Sequence, residues 1–266
     1  MNSKEKNISP FLKTATIIAV LCFTSFVLKN LIALILGNIG MLNTNLLVLL
    51  SNGIITLTAI LLPFAVGNCF LKVSLLENTD KRKIYKMPVN SAGIVLFGFS
   101  ACVVINFITS LLSELIPSAG GSNVSSDGNG NNAVNVLLMF TVFALLPAIC
   151  EEIAFRGIVM GSLMKYGNKI AVIGSAFCFA VLHNSVSVML FAFLCGLVFG
   201  VIRIKTGSVI PSVIVHFLNN ALSVAMSVLM PIMTMKAYLT AYYAVVLVSV
   251  IATAVGMILL YKNRKS

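Results

Sequence analysis

Glu151 and Glu152 stand side by side at the end of the apolar run VNVLLMFTVFALLPAIC, and Arg156 follows four residues after Glu152. The chain has only seven acidic residues and two histidines, His183 and His216, and both imidazoles fall inside apolar sequence. An ionisable side chain at membrane depth costs about 2.5–3.5 kcal/mol on insertion scales, so such groups face a protein interior and meet one another. On a helix Glu152 and Arg156 share a face, while Glu151 is turned away by about 100°. The guanidinium can then neutralise one acid and leave the other facing a cavity as a general base. Phe179 lies one turn before His183, and His216 one turn before Asn220. An imidazole and a carboxamide on one face can aim donors at a developing oxyanion, or serve as polar glue between helices. Pro147, just upstream of the acids, cannot donate to the carbonyl of Phe143 and predicts a kink or local opening there.

The elements that must hold these groups are membrane helices. Of 266 residues, 59% are hydrophobic and 9% charged, and the mean hydropathy is +1.05. A soluble domain carries about 25% charged residues, so a soluble globular protein is excluded, and so is intrinsic disorder. The apolar runs predict an all-α, polytopic transmembrane bundle of about eight spans, near 12–36, 46–71, 91–116, 134–153, 170–186, 187–204, 208–230 and 238–261. A tight turn is required at Asn184–Ser187. Three parts follow: 1–133 with three spans and an outer loop, 134–225 with the reactive residues, and 226–266 with a last helix and a basic tail.

The net charge of +11 reflects topology rather than nucleic acid, because the bases cluster in short segments between spans. Sixteen of the 18 Lys and Arg fall on one side, leaving Lys236 opposite and Lys29 within the first span. Both termini are therefore expected in the cytoplasm of a bacterial cell, with Ser118–Asn132, rich in Gly, Ser and Asn, outside. The six cysteines lie in apolar stretches without a C-x-x-C spacing and read as small buried hydrophobes. Gly196-x-x-x-Gly200 reads as a helix-packing surface. Straight, upright spans would put Glu151 about 25 Å from the outer start of its helix, His216 about 12 Å from the inner start of its own and His183 about 20 Å from that of span five. Those depths do not coincide, so the helices must depart from that ideal.

Taken in order, Glu151-Glu152…Arg156, Phe179…His183 and His216…Asn220 resemble the signature of the CPBP family of intramembrane endopeptidases, E-E-x-x-x-R, F-x-x-x-H and H-x-x-x-N. That family includes the type II CAAX prenyl proteases and bacteriocin-processing or immunity-linked proteins. The resemblance covers about residues 134–225 and extends to Phe155-Arg156-Gly157 and to Gly207-Ser208 leading through Pro211. It implies peptide-bond hydrolysis in a membrane cavity, on a membrane-associated peptide or protein. Glu151 would be the general base and would activate water with His183. His216 and Asn220 would stabilise the oxyanion, and Glu152 with Arg156 would hold the site's shape and charge. The family is often called a metalloprotease. H-E-x-x-H is absent here, but Glu151, His183 and His216 could supply the three ligands of a catalytic zinc. A metal-free glutamate–water scheme uses the same residues. The first alternative to an enzyme is a non-catalytic membrane protein conferring bacteriocin immunity. A transporter ranks lower, because no paired, broken-helix halves are visible.

Overall fold

The computed structural model describes residues 9–38, 45–73, 91–115, 133–183 and 185–262. The Ser118–Asn132 loop, the basic segment 74–90, both chain ends and Asn184 lie outside the described residues. Among the described residues eight helical rods follow one another: α1 (Pro10–Asn38), α2 (Asn45–Ile55, Thr56–Leu61 and Leu62–Leu71), α3 (Ser91–Leu115), α4, α5 (Asn168–Ala180), α6 (Val186–Thr206), α7 (Ile210–Leu229, closed by Met230–Ile232) and α8 (Met235–Lys262). The rod α4 is a relay of Ala133–Met139, Phe140–Leu145, Leu146–Glu152, Ile153–Val159, Met160–Leu163 and Met164–Tyr166. Seven of the eight are long and apolar enough to cross a membrane. The protein is an integral membrane protein with an all-α bundle, as its composition requires.

Burial is inverted relative to a soluble protein. Phe23, Phe70 and Leu247 point outward, 69%, 72% and 61% exposed, while Glu152 and Arg156 are fully buried. With lipid as solvent, apolar side chains gain nothing by hiding, and charges must be enclosed. All six cysteines are free; Cys22, Cys102, Cys150 and Cys195 are buried as expected, whereas Cys69 is exposed on the outer face of α2.

Two boundaries differ from those expected, and both concern the site. The fourth span was expected to end at 153, but α4 continues without a break to Tyr166. Its 34 residues reach about 50 Å at 1.5 Å per residue, so the glutamates sit mid-helix. The hydroxyl of Tyr166 lies 3.1 Å from that of Thr14, placing the end of α4 and the start of α1 on one side of the bundle. The fifth span was expected over 170–186, but α5 has only 13 residues, about 20 Å and too short to cross a ~30 Å core. The reason is local. The imidazole Nδ1–H of His183 donates to the Phe179 carbonyl at 3.0 Å, and the His183 backbone N–H donates to Ala180 at 2.9 Å. These bonds take the last carbonyls of the helix and close it. Ser185 then caps α6, its hydroxyl accepting from the Val188 N–H at 3.4 Å. His183 therefore lies in the turn between α5 and α6, a few residues earlier than the expected turn.

The opening expected at Pro147 takes the form of a π-helical turn. Phe140–Leu145 stops two residues before Pro147, and Thr56–Leu61 stops two residues before Pro63 in α2. A proline lacks the N–H of an i→i−4 bond and crowds the carbonyl one turn back, and the wider turn absorbs both defects. A third π-helical turn, Ile153–Val159, starts at the residue after Glu152 without a proline. Such turns recur at functional positions.

Candidate active site

The site is assembled around a buried arginine. Arg156 and Glu152 are fully buried, with Nη1 2.9 Å from Oε1. Nη1 and Nε make no well-aligned hydrogen bond, so the contact is an ion pair, not a two-pronged fork. Nη2 donates to the Gly196 carbonyl of α6 at 3.1 Å. The guanidinium lies against the rings of Phe179 (4.7 Å to the centroid) and Phe199 (5.0 Å). Burying an ion costs several kcal/mol even after relaxation. The carboxylate, the carbonyl and two aromatic faces, each worth up to ~2 kcal/mol when desolvated, offset that cost.

Glu152 Oε1 also lies 3.1 Å from His216 Nδ1. A carboxylate paired with an arginine can only accept, so the imidazole Nδ1–H donates to it. His216 is further fixed by stacking on Phe199 at 4.9 Å and by the edge of Phe179 at 5.7 Å. Its other nitrogen, Nε2, faces Glu151 Oε2 at 3.7 Å, and the Glu151 side chain keeps 14% exposure. That gap is too long for a direct hydrogen bond and suits a shared water or a substrate oxygen. Glu151 thus lies on the open side of His216, and Glu152 on the closed side.

The structure brings Glu151, Glu152, Arg156 and His216 into one connected cluster. His183 borders it across the Phe179 ring, 5.0 Å away and edge-on, within electrostatic reach of Glu151. With Nδ1 committed to the Phe179 carbonyl, its Nε2 is the free nitrogen. Asn220 is not joined to the cluster: its Oδ1 accepts from Asn219 Nδ2 at 3.4 Å. The shared His216–Asn220 face therefore holds as helix geometry, while His216 spends one nitrogen on Glu152.

Three features went unread in the sequence. Lys29 of α1, set aside as a lone base, donates Nζ to the Leu182 carbonyl at 3.0 Å. Phe199 supplies the second ring against Arg156, and one phenylalanine among 17 carries no signal by itself. A cavity of about 170 Å³ opens between α3, α7 and α8, lined in part by Asn106, Asn219, Ser223, Tyr238 and Tyr242. The doubled asparagine beside His216 was its available signal.

Glu151, His183 and His216 were the candidate zinc ligands. Among the described residues no three His, Cys, Asp or Glu side chains converge as a metal site requires. His216 gives Nδ1 to Glu152, as a metal-bound histidine also does, and turns Nε2 toward Glu151 Oε2 at 3.7 Å; the expected third ligand, His183, does not complete such a group.

Residues 133–222 match the family described as type II CAAX prenyl endopeptidase, Rce1-like. No curated protein and no solved structure matches the chain. The matched segment runs from the first residue of α4 to just past Asn220 and contains all three motifs. Over residues 133–222 the chain is thus similar to the CPBP-type CAAX intramembrane proteases, in the segment that carries all three motifs.

Proposed function

We propose that this protein hydrolyses a peptide bond of a membrane-associated substrate, with Glu151 as general base. The observation that carries the reading is His216 held between two glutamates, one sealed against Arg156 and one open. Glu151 takes a proton from a water that His183 Nε2 helps to orient. The water oxygen attacks the scissile carbonyl carbon, and the carbonyl electron pair moves onto oxygen. Asn220 supplies an amide donor to that oxyanion, and His216, whose Nδ1–H is given to Glu152, adds an Nε2–H in its imidazolium form. The oxyanion collapses and the proton on Glu151 passes to the departing amine as the C–N bond breaks, leaving a carboxylic acid and an amine that then exchange a proton to end as carboxylate and ammonium. Glu152 and Arg156 take no part in the proton transfers and fix His216. The cavity beside Asn219 offers amides and hydroxyls to the backbone of an extended peptide. The test compares the membrane peptidomes of a wild-type strain and a Glu151→Gln strain. An intact precursor should accumulate in the variant; identical peptidomes would remove the assignment.

The reaction as proposed runs on glutamate and water, without zinc. Cleavage by purified protein should persist in a strong chelator, and elemental analysis should find zinc far below one per chain. Stoichiometric zinc that is lost in His183→Ala would reverse this.

Both termini are proposed to be cytoplasmic in a bacterial membrane, on the strength of the basic-residue asymmetry. Single cysteines at Ser125 and Ser266, introduced into a chain lacking its six native ones, should label from opposite sides of the membrane. Labelling from one side would contradict the eight-helix topology.

A further inference from the structure

We propose that Lys29 is a positioning residue of the reaction: by capping the broken end of α5 it holds His183 beside Glu151. This rests on the peptidase reading for its kinetic test, though not for its structural one. The α5 helix stops at Ala180, residues 181–183 are not helical, and α6 begins at Val186. Backbone outside a helix at membrane depth is tolerated only where its polar groups find partners in the protein. Two carbonyls at this end are served locally, Phe179 by the His183 ring and Ala180 by the His183 backbone N–H. The carbonyl of Leu182 belongs to the residue directly before His183, and Leu182 is buried. Its partner comes from another helix, Lys29 Nζ at 3.0 Å. A cation at the C-terminal end of a helix also complements the dipole of that end. Lys29 interacts electrostatically with both Glu151 and His183. The charge that secures the turn is thus also felt at the proposed base.

A lysine in a span costs about 2.5–3.5 kcal/mol on insertion scales, so one whose removal left function unchanged would be hard to account for. Lys29→Met should lower kcat by at least tenfold while KM changes less than threefold. Its melting temperature in detergent should stay within a few degrees, because the lost hydrogen bond is offset by easier burial. Lys29→Arg, which keeps a donor and a charge, should recover most of kcat. Wild-type kcat in Lys29→Met, or no recovery in Lys29→Arg, would overturn the proposal. So would a loss that tracks melting temperature alone. Hydrogen–deuterium exchange on the purified protein gives a readout that needs no substrate. In Lys29→Met the amides of 181–183 should exchange faster than in wild type, with α6 and α7 unchanged. Unaltered exchange there would reject the role even if the protein proved not to be a peptidase. Faster exchange in a chain that cleaves nothing would keep the cap and reject the peptidase reading.

Discussion

Glu151→Gln should lose the ~10²–10⁴-fold in rate typical of removing a general base, while it expresses and melts like wild type. The substitution keeps size, and the Glu151 side chain is the partly exposed member of the pair, in contact with His216 Nε2 only at 3.7 Å. Glu152→Gln should behave differently. Its carboxylate is fully buried and serves Arg156 at 2.9 Å and His216 Nδ1 at 3.1 Å. Removing one partner of a buried ion pair costs about 3–5 kcal/mol, because the other charge is left enclosed and uncompensated. Activity and melting temperature should therefore fall together. Adding Arg156→Gln to Glu152→Gln removes the stranded charge and should recover part of the stability. It should recover little activity, since His216 still lacks its anionic partner. The assay is a cleavage rate and a detergent melting curve for all three variants. Full activity in Glu151→Gln would end the catalytic assignment. A stability loss confined to Glu151→Gln would mean that the two glutamates exchange roles.

The site was legible to the degree that intramembrane charge is expensive. A chain with seven acids and two histidines cannot scatter them through lipid, so the residues that had to meet could be named from sequence. The Glu152–Arg156 pair follows from helical spacing, and it is present at 2.9 Å. Partners across helices were not legible. Spacing put His216 with Asn220, whereas packing gave its Nδ1 to Glu152 on α4. The end of α5 was hidden because Phe-Cys-Phe-Ala-Val-Leu carries no proline or glycine. What stops the helix is the imidazole of His183 folding back onto Phe179, a choice between helix and side-chain bond that hydropathy does not register. The expected kink at Pro147 came out as a π-helical turn because a proline shows where a bond is missing, and the packing determines how it is rerouted.

Gly196→Ala should lower the proposed activity by displacing Arg156, although it adds only one methyl. A Cβ at Gly196 would lie 3.0 Å from both Cα and Cβ of Ala176 and 3.1 Å from Arg156 Nη2. The first of these is backbone, so no rotamer change relieves it; α5 and α6 must part, or the guanidinium must leave the Gly196 carbonyl. Overpacking of this kind costs about 1–3 kcal/mol. A displacement near 1 Å at a catalytic constellation can cost on the order of 10²-fold in rate. Gly200→Ala provides the control on the same face. Its added Cβ meets the side chain of Val172 at 3.0 Å, which can shift by a few tenths of an ångström without touching Arg156. The expected result is a loss of ten- to a hundredfold in kcat/KM for Gly196→Ala against less than threefold for Gly200→Ala. Because part of the clash is with the Ala176 methyl, Ala176→Gly in the Gly196→Ala chain should return part of the melting temperature. It should return less of the rate, since the approach to Nη2 remains. Equal effects at 196 and 200 would make the pair a helix-packing surface alone and would detach Gly196 from the arginine it is held to accommodate.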